Sequence, residues 1–198
     1  DATDPFKHLF TGNKIHDVYD FVHKGKDVYH YDDHGTEVFS VMAANSDAFT
    51  GGAYNASYQL YITEDNAGEY RVEEYNFLFA AERADSSGVD VITTSLGYNL
   101  FDDDDMNYDK QTDLNGEIAI ISIAAKAAID RGIVVVTSAG NEGGNSWGTI
   151  TPPADVDGII AVGAVTSQLA ASWFSSKGPT SDNRIKPDVV ALGTSVSI

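Results

Sequence analysis

The stretch IAIISIAAKAAIDRGIVVVTSAGNEGG, residues 118–144, decides the fold class of this chain. Its first half carries apolar residues at helical spacing, and the stripe is followed by Gly132, a residue type that is common just past a helix end. Residues 133–137 then form a short β-branched run that is typical of a buried strand. The stretch therefore predicts a helix followed by a strand. The apolar stripe consists of Ile118, Ile121, Ala125 and Ile129.

The segments on either side continue this alternation of strands and helices. Residues 56–63 alternate apolar and polar side chains with period two and predict a strand. Residues 70–87 show helical spacing up to Gly88, and residues 89–95 and 159–165 are apolar, strand-like runs. The connections are long enough for parallel pairing. The chain therefore predicts a three-layer α/β fold with a largely parallel sheet and helices on both faces.

Composition and charge narrow the possible functions. The chain has 198 residues, and its 42% hydrophobic content is enough for one sizeable core. Thirty acidic and twelve basic side chains give a net charge of −18, so we expect no nucleic acid partner and no binding to anionic membranes. No apolar run reaches the roughly 18 residues of a membrane span, and residues 1–5 show no secretion signal. The absence of cysteine excludes disulfides, thiolate metal sites and a cysteine nucleophile.

Histidine is the side chain best suited to general-base catalysis near neutral pH, and the chain has five. Four of them lie in a polar segment and are predicted to be exposed. His34 differs, because the apolar segment after it predicts a buried helix that begins at or near this residue. The dipole at a helix start favours the neutral ring that a general base requires, but a histidine that merely caps the helix fits the pattern equally well. The other four are His8, His16, His23 and His30.

A second candidate is Asn141, in the glycine-rich turn of residues 138–143 that follows a predicted strand. Sites in parallel α/β sheets form at the carboxyl ends of the strands. A carboxamide held there can donate a hydrogen bond to an oxyanion as it forms. Taken alone, this segment is better interpreted as an asparagine that adopts a left-handed turn conformation.

An acidic loop of residues 96–115, with four consecutive aspartates at 102–105, interrupts the α/β pattern. We expect this loop to be too polar for the core and long enough to be a binding loop. Its spacing matches an EF-hand calcium loop at three positions but fails at Lys110 and Gly116, where glycine and glutamate are required. Calcium held by residues 102–113 in another geometry is an open alternative, since clustered carboxylates repel one another, but a solvated charge run is favoured.

Six short motifs occur in one order along the chain, and together they are far more specific than any one of them. They are HGTEV at 34–38, TSLG at 94–97, SAGNEG at 138–143, VGAV at 162–165, FSSKGP at 174–179 and KPDVVA at 186–191. In this order they resemble the subtilases, the subtilisin-like serine peptidases. The resemblance covers residues 34–193 and implies a subtilisin-like fold that hydrolyses peptide bonds in extended proteins or peptides.

The resemblance also implies roles for particular residues. His34 would be the general base of a Ser-His-Asp triad, and Asn141 would supply the side-chain donor of the oxyanion hole. An extended substrate would pair with a backbone edge that also forms one wall of the specificity pocket. This wall consists of Ser95, Leu96 and Gly97, and the opposite wall consists of Ala139 and Gly140.

The triad aspartate is not identified by the resemblance. In subtilases it ends an apolar strand upstream of the histidine helix, and no segment between Asp1 and Asp33 has that character. Glu37 stands where the family often has a second histidine, which leaves the presumed base unchanged but alters its surroundings. The upstream aspartates are candidates by residue type only, and they are Asp17, Asp20, Asp27, Asp32 and Asp33.

The tripeptide GTS at 193–195 reproduces the residues around the subtilase nucleophile, but we expect Ser195 to be a coincidental match. The family nucleophile begins a buried helix, and residues 196–198 are too few and too β-branched to form one. Gly193 fits the turn that closes a strand at residues 188–192. The chain is therefore predicted to be a partial catalytic domain, whose partner is the rest of the same domain.

Two alternative functions belong to other classes. A catalytically inactive relative would keep the groove and bind peptides or partners without cleaving them. A nucleotide-binding domain is disfavoured, because neither the dinucleotide-binding motif nor the P-loop motif occurs. The acyl transfer implied by the resemblance needs no cofactor, so none is expected. The strong acidity and the resemblance together imply a secreted protein.

Overall fold

The computed structural model describes residues 4–196 of the chain. These residues form two compact units, one up to Thr63 and one from Glu64 to Val196. In the described residues no helix combines the length and the apolar character needed to cross a bilayer. The helices are α1 (Lys7–Thr11), α2 (His34–Ala43), α3 (Val72–Ser86) and α4 (Ile120–Asp130); the strands are β1 (Ile15–Asp20), β2 (Tyr58–Ile62), β3 (Val91–Thr94), β4 (Val134–Ser138), β5 (Ile160–Val165) and β6 (Val189–Leu192).

The first unit contains a two-stranded parallel sheet. β1 pairs with β2, and Ile15 lies opposite Tyr58. A small apolar cluster joins the chain before β1 to α2, with the rings of Phe6 and Phe39 stacked at 5.3 Å. A core of this size buries little apolar surface and stabilises the unit modestly. Its buried members are Phe6, Leu9, Ala43 and Ala44.

The second unit is built on a four-stranded sheet with the strand order β3-β4-β5-β6. All three neighbouring pairs are parallel. Thr94 at the end of β3 lies opposite Thr137, and Ser138 at the end of β4 lies opposite Val162. The carboxyl ends of these strands therefore share one edge of the sheet.

One face of this sheet is covered by helices. α4 packs on both α3 and β4, and alternate strand residues such as Val135 and Ala161 are buried in the same core. The opposite face carries Val91, Val134 and Ile160, which are 55%, 46% and 37% exposed. This second face is therefore apolar and partly exposed.

The α/β prediction is confirmed. The expected strands correspond to β2, β3, β4 and β5, and the expected helices correspond to α3 and α4, with bounds that differ by at most two residues. Gly88 and Gly132 follow the two helices with φ angles of +73° and +91°, a conformation that favours glycine. The strands of residues 4–196 pair in parallel throughout, as the long connections predicted.

Two elements near the start of the chain were not predicted. They are α1 and β1, within a segment that the sequence analysis treated as polar. The residues of β1, IHDVYD, lack a regular alternation of apolar and polar side chains, and only the last of them is buried. Pairing with β2 makes this segment a strand, so its conformation depends on a partner more than 40 residues away.

The prediction that the acidic loop is too polar for the core is wrong. Tyr98, Phe101, Tyr108 and Leu114 are at most 5% exposed and belong to the main core of the second unit. The aspartates lie between these residues and are exposed at positions 102–105. The loop is therefore anchored by its aromatic side chains, while its charges face the solvent.

The prediction of a buried helix after His34 is also wrong. α2 begins at His34 as expected, but Ala43 is its one buried residue, and His34 itself is exposed. The small first unit supplies too few elements to cover the apolar side of α2. Of the four histidines predicted to be exposed, His8 is half-buried, and its Nε2 lies 2.9 Å from the carbonyl oxygen of Tyr54.

Candidate active site

The carboxyl edge of the second sheet presents a free segment of backbone. Since Thr94 and Thr137 are opposite each other, the segments that follow them leave the sheet side by side. Ser95, Leu96 and Gly97 follow β3, and their backbone groups make no hydrogen bond to any described residue. The side chain of Leu96 packs against the core and fixes the direction of this segment. The edge is therefore available to an extended peptide.

Asn141 follows β4 at the same edge. The N–H of Ala139 donates to the carbonyl oxygen of Val162 at 2.9 Å and extends the ladder by one residue. Gly140 then turns the chain with a φ of +104°, which favours glycine. Asn141 is exposed, and no described residue hydrogen-bonds to its carboxamide. The carboxamide is therefore free to donate to a ligand.

Ser176 holds this turn from a neighbouring segment. Its Oγ accepts a hydrogen bond from the N–H of Glu142 at 2.9 Å, and its own N–H donates to the carbonyl oxygen of Gly140 at 3.0 Å. The N–H of Gly143 donates to the carbonyl oxygen of Phe174 at 2.8 Å. Ser176 is fully buried and fixes the backbone on both sides of the asparagine. The FSSKGP motif contained this serine, but its positioning role was not predicted.

His34 is the first residue of α2 and belongs to the first unit. Its backbone N–H donates to Oδ1 of Asp32 at 2.8 Å, which satisfies one of the amides left unpaired at a helix start. The side chain is exposed. The other predicted site residues all belong to the carboxyl edge of the sheet in the second unit.

Two of the upstream aspartates, Asp17 and Asp20, bind neighbouring groups through their side chains. Asp20 ends β1 and is 1% exposed. Its Oδ1 accepts from the N–H groups of Val22 and His23 at 2.8 and 2.9 Å, and its Oδ2 lies 2.9 Å from Nδ1 of His23. Asp17 accepts a hydrogen bond from the hydroxyl of Tyr61 at 3.0 Å. Both carboxylates are therefore engaged by neighbouring groups of their own unit.

Ser195 lies beyond the last strand. The strand expected at residues 188–192 corresponds to β6, and the N–H of Gly193 donates to the carbonyl oxygen of Val165 at 3.0 Å. Ser195 has a φ of +57° and belongs to no helix of the described residues. Ser197 and Ile198, which the sequence argument also used, lie outside the described residues. The exclusion of Ser195 as the nucleophile stays a prediction.

A buried carboxylate network anchors the acidic loop to α3. Glu74 is fully buried, and both of its oxygens accept from the hydroxyl of Tyr108 at 2.9 Å. The N–H of Ile121 also donates to Glu74, and Arg71 donates to the same hydroxyl at 2.7 Å. Burial raises the pKa of Glu74, and these hydrogen bonds and the Arg71 charge oppose the rise. No local pattern indicated this network, because its partners are 34 positions apart.

Glu69 lies where several acidic side chains approach one another at the base of the acidic loop. Its carbonyl oxygen accepts from the N–H of Asp102 at 3.1 Å. Partial burial raises the pKa of Glu69 to about 7, and the negative charges of Glu73, Glu64 and Asp102 add to the rise. The hydroxyl of Tyr98 hydrogen-bonds to Glu64 in the same region. Burial and the neighbouring negative charges therefore both disfavour the ionised form of Glu69.

The aspartates of the acidic loop bind backbone groups of the loop itself. Oδ1 of Asp109 accepts from the N–H of Gln111, and Oδ2 of Asp113 accepts from the N–H of Asp109, each at 2.8 Å. Within residues 4–196 no three acidic or histidine side chains converge in a way that could hold a metal ion. The solvated charge run favoured from the sequence stays a prediction, with calcium binding by this loop as its alternative.

The sequence of this chain matches a known protein family and several known proteins. The Subtilase family matches residues 10–197. Subtilisin E of Bacillus subtilis (strain 168) is 34% identical over 167 residues, which cover 82% of this chain and 37% of that protein. The minor extracellular protease Vpr of the same organism is 34% identical over 137 residues, covering 69% of this chain and 15% of that protein. The chain thus spans little more than a third of the length of Subtilisin E.

Two solved structures share the fold. A cold adapted subtilisin-like serine proteinase has a TM-score of 0.68 and 23% identity, covering 93% of this chain and 57% of the other. The epidermin leader peptide processing serine protease from Staphylococcus aureus has a TM-score of 0.70 and 22% identity, covering 96% and 48%. The family match over nearly the whole chain, together with the sequence relatives, shows that this chain belongs to the subtilase family.

Proposed function

We propose that the protein is a serine endopeptidase that hydrolyses peptide bonds in extended protein or peptide substrates. One observation carries this proposal: the unpaired backbone edge of Ser95, Leu96 and Gly97 lies at the same end of the sheet as the exposed Asn141. A peptide that adds to this edge as a strand is held by main-chain hydrogen bonds that do not depend on its sequence. The related subtilisins and the extracellular protease Vpr support this activity and a secreted location.

The mechanism assigns a task to each residue. His34 acts as the general base and takes the proton from a serine hydroxyl as its oxygen attacks the scissile carbonyl carbon. The carboxamide of Asn141 donates to the negative oxygen of the tetrahedral intermediate. The C–N bond then breaks, and His34 returns the proton to the leaving amine. Ala139 and Gly140 form the wall of the specificity pocket opposite residues 95–97.

The serine and aspartate of the triad are proposed to come from parts of the same domain outside these 198 residues. The match to this chain covers 37% of Subtilisin E, so it leaves most of the length of that protein outside these residues. The exposed apolar face of the sheet, with Val91, Val134 and Ile160, supports a further covering element. The rest of the catalytic domain is thus the proposed partner. This acyl transfer requires no resident cofactor.

Labelling with a serine-directed fluorophosphonate tests the proposal. The full-length protein is expected to react stoichiometrically and to cleave an unstructured protein substrate, and the 198-residue chain alone is expected to do neither. Stoichiometric labelling of the short chain would overturn the assignment of the nucleophile to another segment. A full-length protein that binds peptides but neither reacts nor cleaves them would be the inactive, peptide-binding relative.

Substitution of Ser195 separates the two possible positions of the nucleophile. Ser195→Ala in the full-length protein is expected to leave activity near that of the unmodified protein, because Ser195 follows a strand and starts no helix in the described residues. His34→Ala serves as the inactive control, since loss of the base abolishes activation of any serine. A loss of several orders of magnitude in Ser195→Ala would identify Ser195 as the nucleophile.

A further inference from the structure

One side chain fills the space between the two proposed walls of the specificity pocket. A Cβ atom placed on Gly140 would lie 2.7 Å from Oγ1 of Thr151, and one placed on Gly97 would overlap the same oxygen. The methyl group of Thr151 would lie 3.4 Å from the Cβ on Gly140. Both walls therefore lack side chains where Thr151 approaches them. The gap between the walls is filled by Thr151.

The backbone holds Thr151 in this position from both sides. Its N–H donates to the carbonyl oxygen of Ala139, on one wall, at 3.3 Å. The carbonyl oxygen of Pro152 accepts from the N–H of Tyr98, just past the other wall, at 3.1 Å. The N–H of Ala154 donates back to the carbonyl oxygen of Thr151 at 2.9 Å. The segment is therefore hydrogen-bonded on both sides, and its movement away from either side breaks one of these bonds.

The burial of Thr151 shows how completely the gap is filled. The residue is 3% exposed, and among the described residues its buried Oγ1 has no hydrogen-bond partner. A larger substrate side chain that entered between Gly97 and Gly140 would have to displace this threonine. Displacement in a close-packed region forces neighbouring atoms off their preferred positions and is costly.

We propose that Thr151 closes the base of the specificity pocket and limits the substrate residue on the acyl side of the scissile bond to glycine, alanine or serine. The inference rests on the proposed function, because the two walls are assigned to the pocket there. It adds a specificity-determining residue that none of the six sequence motifs contains. The hydroxyl is not required for this role, since the volume of the side chain excludes the larger substrates.

Binding and cleavage of matched peptides test this role in the full-length protein. The ligands are acetylated tetrapeptides that end in alanine or phenylalanine, and the substrates are the same sequences joined to a fluorogenic amine. The protein is expected to favour alanine over phenylalanine by at least about tenfold, as a filled pocket discriminates by size. In Thr151→Gly this preference is expected to fall by about 10- to 100-fold. In Thr151→Val, which keeps the volume and removes the hydroxyl, the preference is expected to persist.

The outcomes separate this inference from the proposed peptidase activity. Size-selective binding without cleavage would refute the peptidase and retain the role of Thr151. Cleavage without a size preference, or a preference unchanged in Thr151→Gly, would refute the role of Thr151 and retain the peptidase. A preference that disappears in Thr151→Val would assign selectivity to the hydroxyl and overturn the volume argument. Absence of any peptide binding would overturn both.

Thr151→Ala, with a less flexible backbone, replaces Thr151→Gly if circular dichroism shows that the glycine variant is unfolded.

Discussion

Replacement of Glu69 by glutamine is expected to stabilise the protein at alkaline pH. Glu69 is half-buried, and burial and the charges of Glu73, Glu64 and Asp102 raise its pKa from an ordinary value of 4.5 to about 7. The folded state therefore binds more protons than the unfolded state between these two values. As pH rises from about 4.5 to about 7, ionisation of Glu69 therefore lowers the stability of the folded state. Above this range Glu69 causes no further change in stability. The Glu69→Gln variant has no group to ionise and avoids the loss.

The size of the effect follows from the pKa rise and the exposure of the side chain. At about 1.4 kcal/mol per pH unit, the rise to about 7 corresponds to an upper limit of about 3 kcal/mol. Solvent screens the charges around a half-exposed carboxyl group, so we expect a gain of about 1 kcal/mol at pH 8 and a much smaller one at pH 5.

Chemical denaturation of both proteins at pH 5 and pH 8 measures this difference. Glu82→Gln is the matched control, because Glu82 is an exposed glutamate on α3, the helix that follows Glu69 in the chain. Equal effects of Glu69→Gln at both pH values would show that the cluster does not perturb Glu69. A destabilised variant at pH 8 would show that the ionised carboxylate makes favourable contacts.

Three further predictions concern the site and its supports. Asn141→Ala in the full-length protein is expected to lower kcat by about 10²- to 10³-fold with little change in KM. This magnitude is known for the corresponding donor of subtilisin, a member of this family. A raised KM with unchanged kcat would refute the oxyanion role. Tyr108→Phe removes the hydroxyl that donates to Glu74. Because the buried carboxylate loses a hydrogen-bond partner, the free energy of unfolding is expected to fall by about 1–3 kcal/mol. Denaturant titration measures this loss. Millimolar calcium is expected to leave the midpoint of thermal unfolding at its value in chelator, since Asp109 and Asp113 already bind backbone groups of the loop. A rise of several degrees would establish a calcium site.

The candidate site shows which functional features a sequence reveals. Asn141 and residues 95–97 were found because they follow apolar strands, and the ends of parallel strands share one edge of the sheet. Ser176 approaches this edge from a segment 34 positions away from Glu142, and Thr151 approaches Gly97 from 54 positions away. No periodicity or spacing shows which distant backbone group a serine binds or which gap a threonine fills. These supporting residues therefore became visible only in three dimensions.

By itself, the sequence determined the α/β class, the parallel sheet and the ends of α3 and α4, because apolar periodicity and glycine positions report local conformation and the side that faces the core. Only the tertiary structure decided that β1 is a strand, that Tyr98 and Tyr108 are buried, and that Glu74 is an anchor. Each of these outcomes depends on a partner at least 34 positions away along the chain. The free energy of such contacts comes from desolvation and packing between distant segments, which the local sequence does not encode.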